Sequence, residues 1–451
     1  MNMNDNRILT GKINPVFFSF AIPAVLGLVA SSSAGIIDGM FIGNHIGETA
    51  LAAVTLCIPI FPVLMGIAIL FSTGGEVFCG KFIGDGNNKK ASEVFTKVII
   101  TVFIISILTL VIGLLFIDSI VSVLGAGKEI QQMTTDYLRI IIISTPLITT
   151  FSLSYFVRVD GKPNLSATAL IITAVLNIVL DYIFIVQLDW GIKGAAWGTV
   201  LSFTAMPILL LPHFILKQGN LKFVKPTKSF KILGEIAYNG SSEFLSEISG
   251  GILLFVINIT MMKYYGVQGV AAYAVVGYLL YLTAMTCYGV SDSLKSIVSI
   301  NFGAKQRKRI VQFLRTAIIT VVSLGFVLVI LTQINATTFV QLFIKDNADT
   351  TVSSLANGFI LSISPVLLVM GTNIILSAYF TAIHKPKPSL IISLSRTLIL
   401  PIIFIPIITS IVGGHGIITA LILSEIATLL IAILLILGNK NKVAFKGCFN
   451  S

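Results

Sequence analysis

The sequence predicts an all-α polytopic membrane protein, with twelve transmembrane helices in two six-helix lobes related by a pseudo-two-fold axis along the membrane normal. Three observations carry this. The 451-residue chain is 55% hydrophobic and only 11% charged, far short of the polar surface that a soluble protein of this length needs. Its apolar runs number twelve, and alternate loops between them are basic. Its loop signatures recur at an offset of about 220 residues, half the chain.

The apolar segments lie near 15–38, 50–73, 94–117, 137–157, 165–187, 194–216, 233–262, 270–292, 311–332, 354–380, 389–410 and 416–437, against a bilayer crossing of roughly 20 residues. The first loop has His45 and Glu48 and no Lys or Arg, whereas the second carries Lys81, Lys89 and Lys90. The third has only Lys128, and the fourth has Arg158 and Lys162. The central connection holds Lys217, Lys222, Lys225, Lys228 and Lys231; the eighth loop holds Lys305, Arg307, Lys308 and Arg309. Lys385 and Lys387 follow the tenth segment, and Lys440, Lys442 and Lys446 form the tail. Basic loops stay in the cytoplasm, so both termini are expected there, in a multi-pass protein of the cell membrane.

The repeat pairs Gly84–Lys90 before the third segment with Gly303–Arg309 before the ninth. Lys162-Pro163 opens the fifth and Lys385-Pro386 the eleventh; Gly191-Ile192-Lys193-Gly194 opens the sixth and Gly414-His415-Gly416-Ile417 the twelfth. Two six-helix halves that begin on the same side share one orientation, so the repeat is parallel. The expected division is an N-lobe over 1–216, a cytoplasmic linker over 217–232, and a C-lobe over 233–451 with a short cytoplasmic tail.

The net charge of +11 does not point to nucleic acid, because the basic residues sit in the loops. Gly75–Lys81 fits the first seven positions of a phosphate-binding loop, but Phe82 stands where Ser or Thr would hold magnesium. The stretch also ends a membrane segment rather than following a strand, so no ATP and no other cofactor is expected. Cys57, Cys79, Cys287 and Cys448 form no CxxC pair, and His45, His213, His384 and His415 lack ligand spacing, which excludes a disulfide framework and a zinc site. No clustered nucleophile suggests an enzyme. The first segment, after Arg7 and Lys12, runs too long for a cleaved signal and is expected to be retained.

Candidate site residues come from depth. Asn177 and Asp181 are four apart on one face of the fifth segment, in its outer half. A carboxylate there is costly and usually persists beside a partner, an ion or water. Asp38 near the outer end of the first segment and Thr199 about two turns into the sixth reach a similar level. Two carboxylates, an amide oxygen and a hydroxyl suit sodium, and close carboxylates suit proton exchange; a helix-end Asp reaching interfacial water is the plainer alternative. The second half has its own polar set: Glu243 and Glu247 on the seventh segment, Arg396 in the eleventh and Glu425 in the twelfth. It reads either as charge-compensated packing, with Arg396 neutralising an acid, or as a coupling or substrate site. Asp292 and Lys295, an i, i+3 pair near the cytoplasmic face, read as structural. The aromatics Phe61, Tyr155, Tyr273, Tyr278, Tyr281 and Tyr288 read as packing or interfacial anchors, or as stacking groups for a lipophilic cation.

Gly35–Gly43, Phe82–Gly86, Arg158–Pro163, Asn177–Asp181 and Gly194–Thr199 together resemble the multidrug and toxic compound extrusion (MATE) transporters over nearly the whole chain. The resemblance implies two six-helix lobes around a V-shaped cleft, and export of cationic, lipophilic compounds in exchange for protons or sodium. In the branch with an N-lobe cation site, the matching positions are Asp38, Asn177, Asp181 and Thr199. The other branch uses acids in the seventh and tenth helices; here the tenth segment has no acid, and Asn239-Gly240-Ser241-Ser242 replaces the usual proline of the seventh. The expected partners are therefore small organic cations or amphiphiles and the bilayer, with a monomer expected. A lipid-linked precursor flippase of the same superfamily is the alternative; it would want a more cationic cleft than one whose main basic residue is Arg396.

Overall fold

The computed structural model describes residues 3–341 and 350–438; the tail lysines and Cys448 lie outside these. The N-terminal helix Met3–Thr10 precedes the first span. The spans of the first half are α1 (Ile13–Ile46), α2 (Glu48–Gly84), α3 (Asn88–Leu115), α4 (Gln131–Ile143 with Thr145–Val159, bent by 53°), α5 (Pro163–Gln187) and α6 (Gly191–Ile215). In the second half, Ile232–Gly303 is 72 residues long, which as one rod would reach about 108 Å, several bilayers. It reverses at Gly266, whose φ of 63° only glycine adopts freely, and so forms α7 and α8. Then come α9 (Arg307–Gln341) and α10 (Thr351–Ile363 with Val366–Ala382, bent by 54°). Pro386–Gly438 turns back at Gly413 (φ 72°) to give α11 and α12. Twelve spans result among the described residues.

The repeat is built into the backbone. Left-handed residues recur in corresponding loops: Gly86 with Lys305, Gly161 with His384, and Gly191 with Gly413. The helices also differ from the hydropathy reading. α2 continues past Thr73 to Gly84 and α8 past Asp292 to Gly303, because the charges that seemed to end them, Glu76 and Asp292 to Lys295, are buried in ion pairs.

The halves meet along α1 and α2 on one side and α7 and α8 on the other. Their closest approaches lie toward the basic loops and need glycine. A Cβ on Gly84 would stand 1.9 Å from the Ile300 carbonyl oxygen, and one on Gly303 would stand 1.9 Å from that of Lys81. These are the same contact seen from each half. Farther along, Gly35, Gly39, Gly250, Gly251 and Gly277 have no atom within 4 Å of a Cβ position. The lobes are therefore sealed at the basic-loop end and diverge away from it. The segment before α7 is pinned to α3: Ser92 donates to the Asn220 carbonyl at 3.1 Å, Thr96 accepts from the Val224 amide at 3.1 Å, and Lys97 donates to the Ser229 carbonyl at 2.6 Å.

The glycines of Gly75–Lys81 are explained by packing. A side chain on Gly75 would meet Phe156 and Val98, and one on Gly80 would meet Ser299.

Candidate cation site

Three helices bring the first polar set together, and on two of them the acid stands beside an irregular turn. Asp38 stands just before a π-turn at Ile42–Ile46, and Asp181 just before one at Tyr182–Gln187. Such turns concentrate at functional sites because they break the hydrogen-bond register of the helix. The Asn177 amide donates to Asp181 Oδ2 at 3.0 Å. Asp38 reaches hydrogen-bonding range of Asp181 across the α1–α5 contact. Thr199 on α6 lies close to Tyr137 of α4, a buried tyrosine that sequence patterns do not single out. Gly198, beside Thr199, lets α6 approach: a Cβ there would stand 2.1 Å from Asp181 Oδ1.

The decisive feature is what this set lacks. Asp181 is wholly buried, yet among the described residues no hydrogen bond reaches its Oδ1, and the same holds for the buried Asp38 Oδ1. No ion pair to a Lys or Arg reaches either acid among the described residues. Two carboxylates so close, in a medium that strengthens Coulomb repulsion, are stabilised by a proton on one of them or by a small cation between them. The free oxygens, with the Thr199 and Tyr137 hydroxyls nearby, suit either.

The second polar set is arranged differently. Arg396 Nε lies 3.2 Å from Glu425 Oε1, and Asn373 donates to Glu425 Oε2 at 2.6 Å and to its carbonyl at 2.9 Å. Tyr288 lies beside Arg396. Glu243 pairs with Lys295 at 3.0 Å instead of with Arg396, and Glu247 is exposed with no ion-pair partner among the described residues. The four residues thus form a neutral pair and two separate acids rather than one network. Sequence reading missed Glu76 and Arg158, which are paired at 3.3 Å and fully enclosed. Glu76 is hidden inside the phosphate-loop lookalike, and Arg158 reads as a loop charge.

The MatE family model matches residues 23–183 and 245–407, once in each half. The chain is 27% identical over 451 residues to the multidrug export protein MepA of Staphylococcus haemolyticus, covering 98% of each chain. In structure it is similar to a MATE crystallised in complex with MaL6 (TM-score 0.92, 22% identity, 98% of this chain and 100% of the other). It is also similar to a MOP superfamily transporter from Pyrococcus furiosus described as having a binding pocket of reverse polarity (TM-score 0.90, 21% identity, 98% and 100%).

Proposed function

The chain belongs to the MatE family, a family of transporters, and from that premise we propose that it is an antiporter exporting cationic or lipophilic compounds in exchange for protons or sodium. One observation carries the reading: Asp38 and Asp181 share a buried site with unpaired oxygens and no neutralising cation. An ion from one side of the membrane satisfies that site. Its binding biases the lobes toward one facing, and substrate biases them toward the other. Asp38, Asn177, Asp181 and Thr199 are the coupling residues in this scheme, Tyr137 orients Thr199, and the ion is cargo rather than a resident cofactor. The basic-loop end faces the cytoplasm of a cell membrane. The flippase alternative gains nothing from Arg396, whose charge is already taken by Glu425.

Ethidium efflux from energised vesicles, with sodium and proton gradients imposed separately, tests this. The expected result is efflux driven by one gradient and reduced at least about tenfold in Asp181→Asn, the minimum for losing a charged ligand. Efflux that persists in the mutant overturns the site; no gradient-driven efflux in the wild type overturns the activity.

A further inference from the structure

A second charge cluster sits where the lobes meet, and it is shared between them. From the first half come Glu76 on α2 and Arg158 at the end of α4; from the second come Asp292 and Lys295 on α8 and Glu243 on α7. Arg158 spans the boundary. Its Nε lies 3.3 Å from Glu76 Oε1 in its own lobe, and a terminal nitrogen lies 3.2 Å from Asp292 Oδ2 in the other. Its guanidinium also stacks over the Tyr155 ring of α4, 5.1 Å from the centroid. Lys295 is shared between Asp292 at 2.8 Å and Glu243 at 3.0 Å, and Ser296 donates to Glu76.

Two features of this cluster matter. The cations are enclosed, with Arg158 3% and Lys295 2% exposed, whereas Asp292 at 11% and Glu243 at 16% stay partly exposed. The charges also divide unequally at the boundary. Parting the lobes leaves Glu76 with Arg158, a neutral pair held further by Tyr155. It leaves Asp292, Glu243 and Lys295 on the other side, two carboxylates to one cation. Asp292 loses the partner it made at 3.2 Å and keeps only a share of Lys295, which Glu243 also holds.

We propose that Asp292, backed by Glu243, is a seat for the cationic group of the substrate when the lobes part at the basic-loop end, and that Arg158 occupies this seat when they are closed. The guanidinium is the protein's own stand-in for the ligand. Closure at this end therefore competes with an organic cation held there, because a single carboxylate serves both. This rests on the substrate class proposed above and adds where the cation is first held.

Two readouts on the full-length chain separate the claims. Spin labels on Asp85→Cys and Lys308→Cys, in a Cys448→Ser background, report the distance across the basic-loop end. Equilibrium binding of tetraphenylphosphonium reports the seat. Arg158→Gln is combined with Glu76→Gln so that no enclosed carboxylate is left without its partner. In this double variant the label distance is expected to lengthen and tetraphenylphosphonium to bind about tenfold more tightly, the scale of one charge-assisted contact. Adding Asp292→Asn should keep the long distance and return affinity to the wild-type level or below. The seat is overturned if the triple variant binds as tightly as the double, and the lock is overturned if the double variant leaves the distance unchanged. No binding to any of the three proteins would overturn the substrate class and the seat together, while the label distances would still judge the lock.

Discussion

Both halves of the molecule place polar side chains beside a π-turn, Asp181 before Tyr182–Gln187 on α5 and Arg396 within Ser395–Ile399 on α11, and they fill the position with opposite logic. On α11 and α12 the enclosed charges answer each other: Arg396 meets Glu425, and Asn373 takes the remaining carboxylate oxygen. On α5 and α1 two acids face each other with oxygens left over. A shared backbone irregularity therefore says little about function by itself. The balance of charge around it says more, because a compensated pair holds helices together whereas an uncompensated one demands an ion.

The sharpest way to break this comparison is to measure stability at the two sites. Arg396→Gln leaves Glu425 buried without its cation and should destabilise the protein by about 3 kcal/mol. Asp181→Asn removes a repulsion and should change stability by less than about 1 kcal/mol. Thermal unfolding in detergent reads both. Equal losses would mean that Asp181 is as structural as Glu425.

A smaller effect concerns the sealed end. His384, in the turn between α10 and α11, packs between Phe78 and Phe302 with its Nε2 buried and unpartnered. Burial, helped by the nearby Lys81 charge, holds its pKa down at about 3. The unfolded chain takes up this proton below about 6.5 and the folded chain does not, so stability should fall as pH drops from 6.5 toward 3. The loss approaches about 1.4 kcal/mol per pH unit within that window. His384→Phe should flatten this part of the profile, and an unchanged slope would show that the turn opens to water.

Much of this was readable from the sequence, for identifiable reasons. Hydropathy and loop charge located twelve spans because each must satisfy its own backbone in lipid. The spacing of Asn177 and Asp181, with the entry sides of α1 and α6, put four candidate residues at one depth. Helix ends were misjudged where ion pairs bury charge, as at Glu76 and Lys295, since a hydropathy pattern cannot show a partner far along the chain. Tyr137 escaped notice because a single tyrosine near a helix start looks like an interfacial anchor. Arg158 escaped for the complementary reason: a loop arginine that satisfies the charge rule asks for no second explanation.

The contrast between the two sites comes down to ion uptake, which the uncompensated site should show and the compensated one should not. Its most direct test is proton uptake and radioactive sodium binding by purified protein between pH 5 and 8, comparing wild type with Asp181→Asn and Glu425→Gln. The expected result is one ion-linked uptake that vanishes in Asp181→Asn and persists in Glu425→Gln; uptake retained in Asp181→Asn and lost in Glu425→Gln would contradict it.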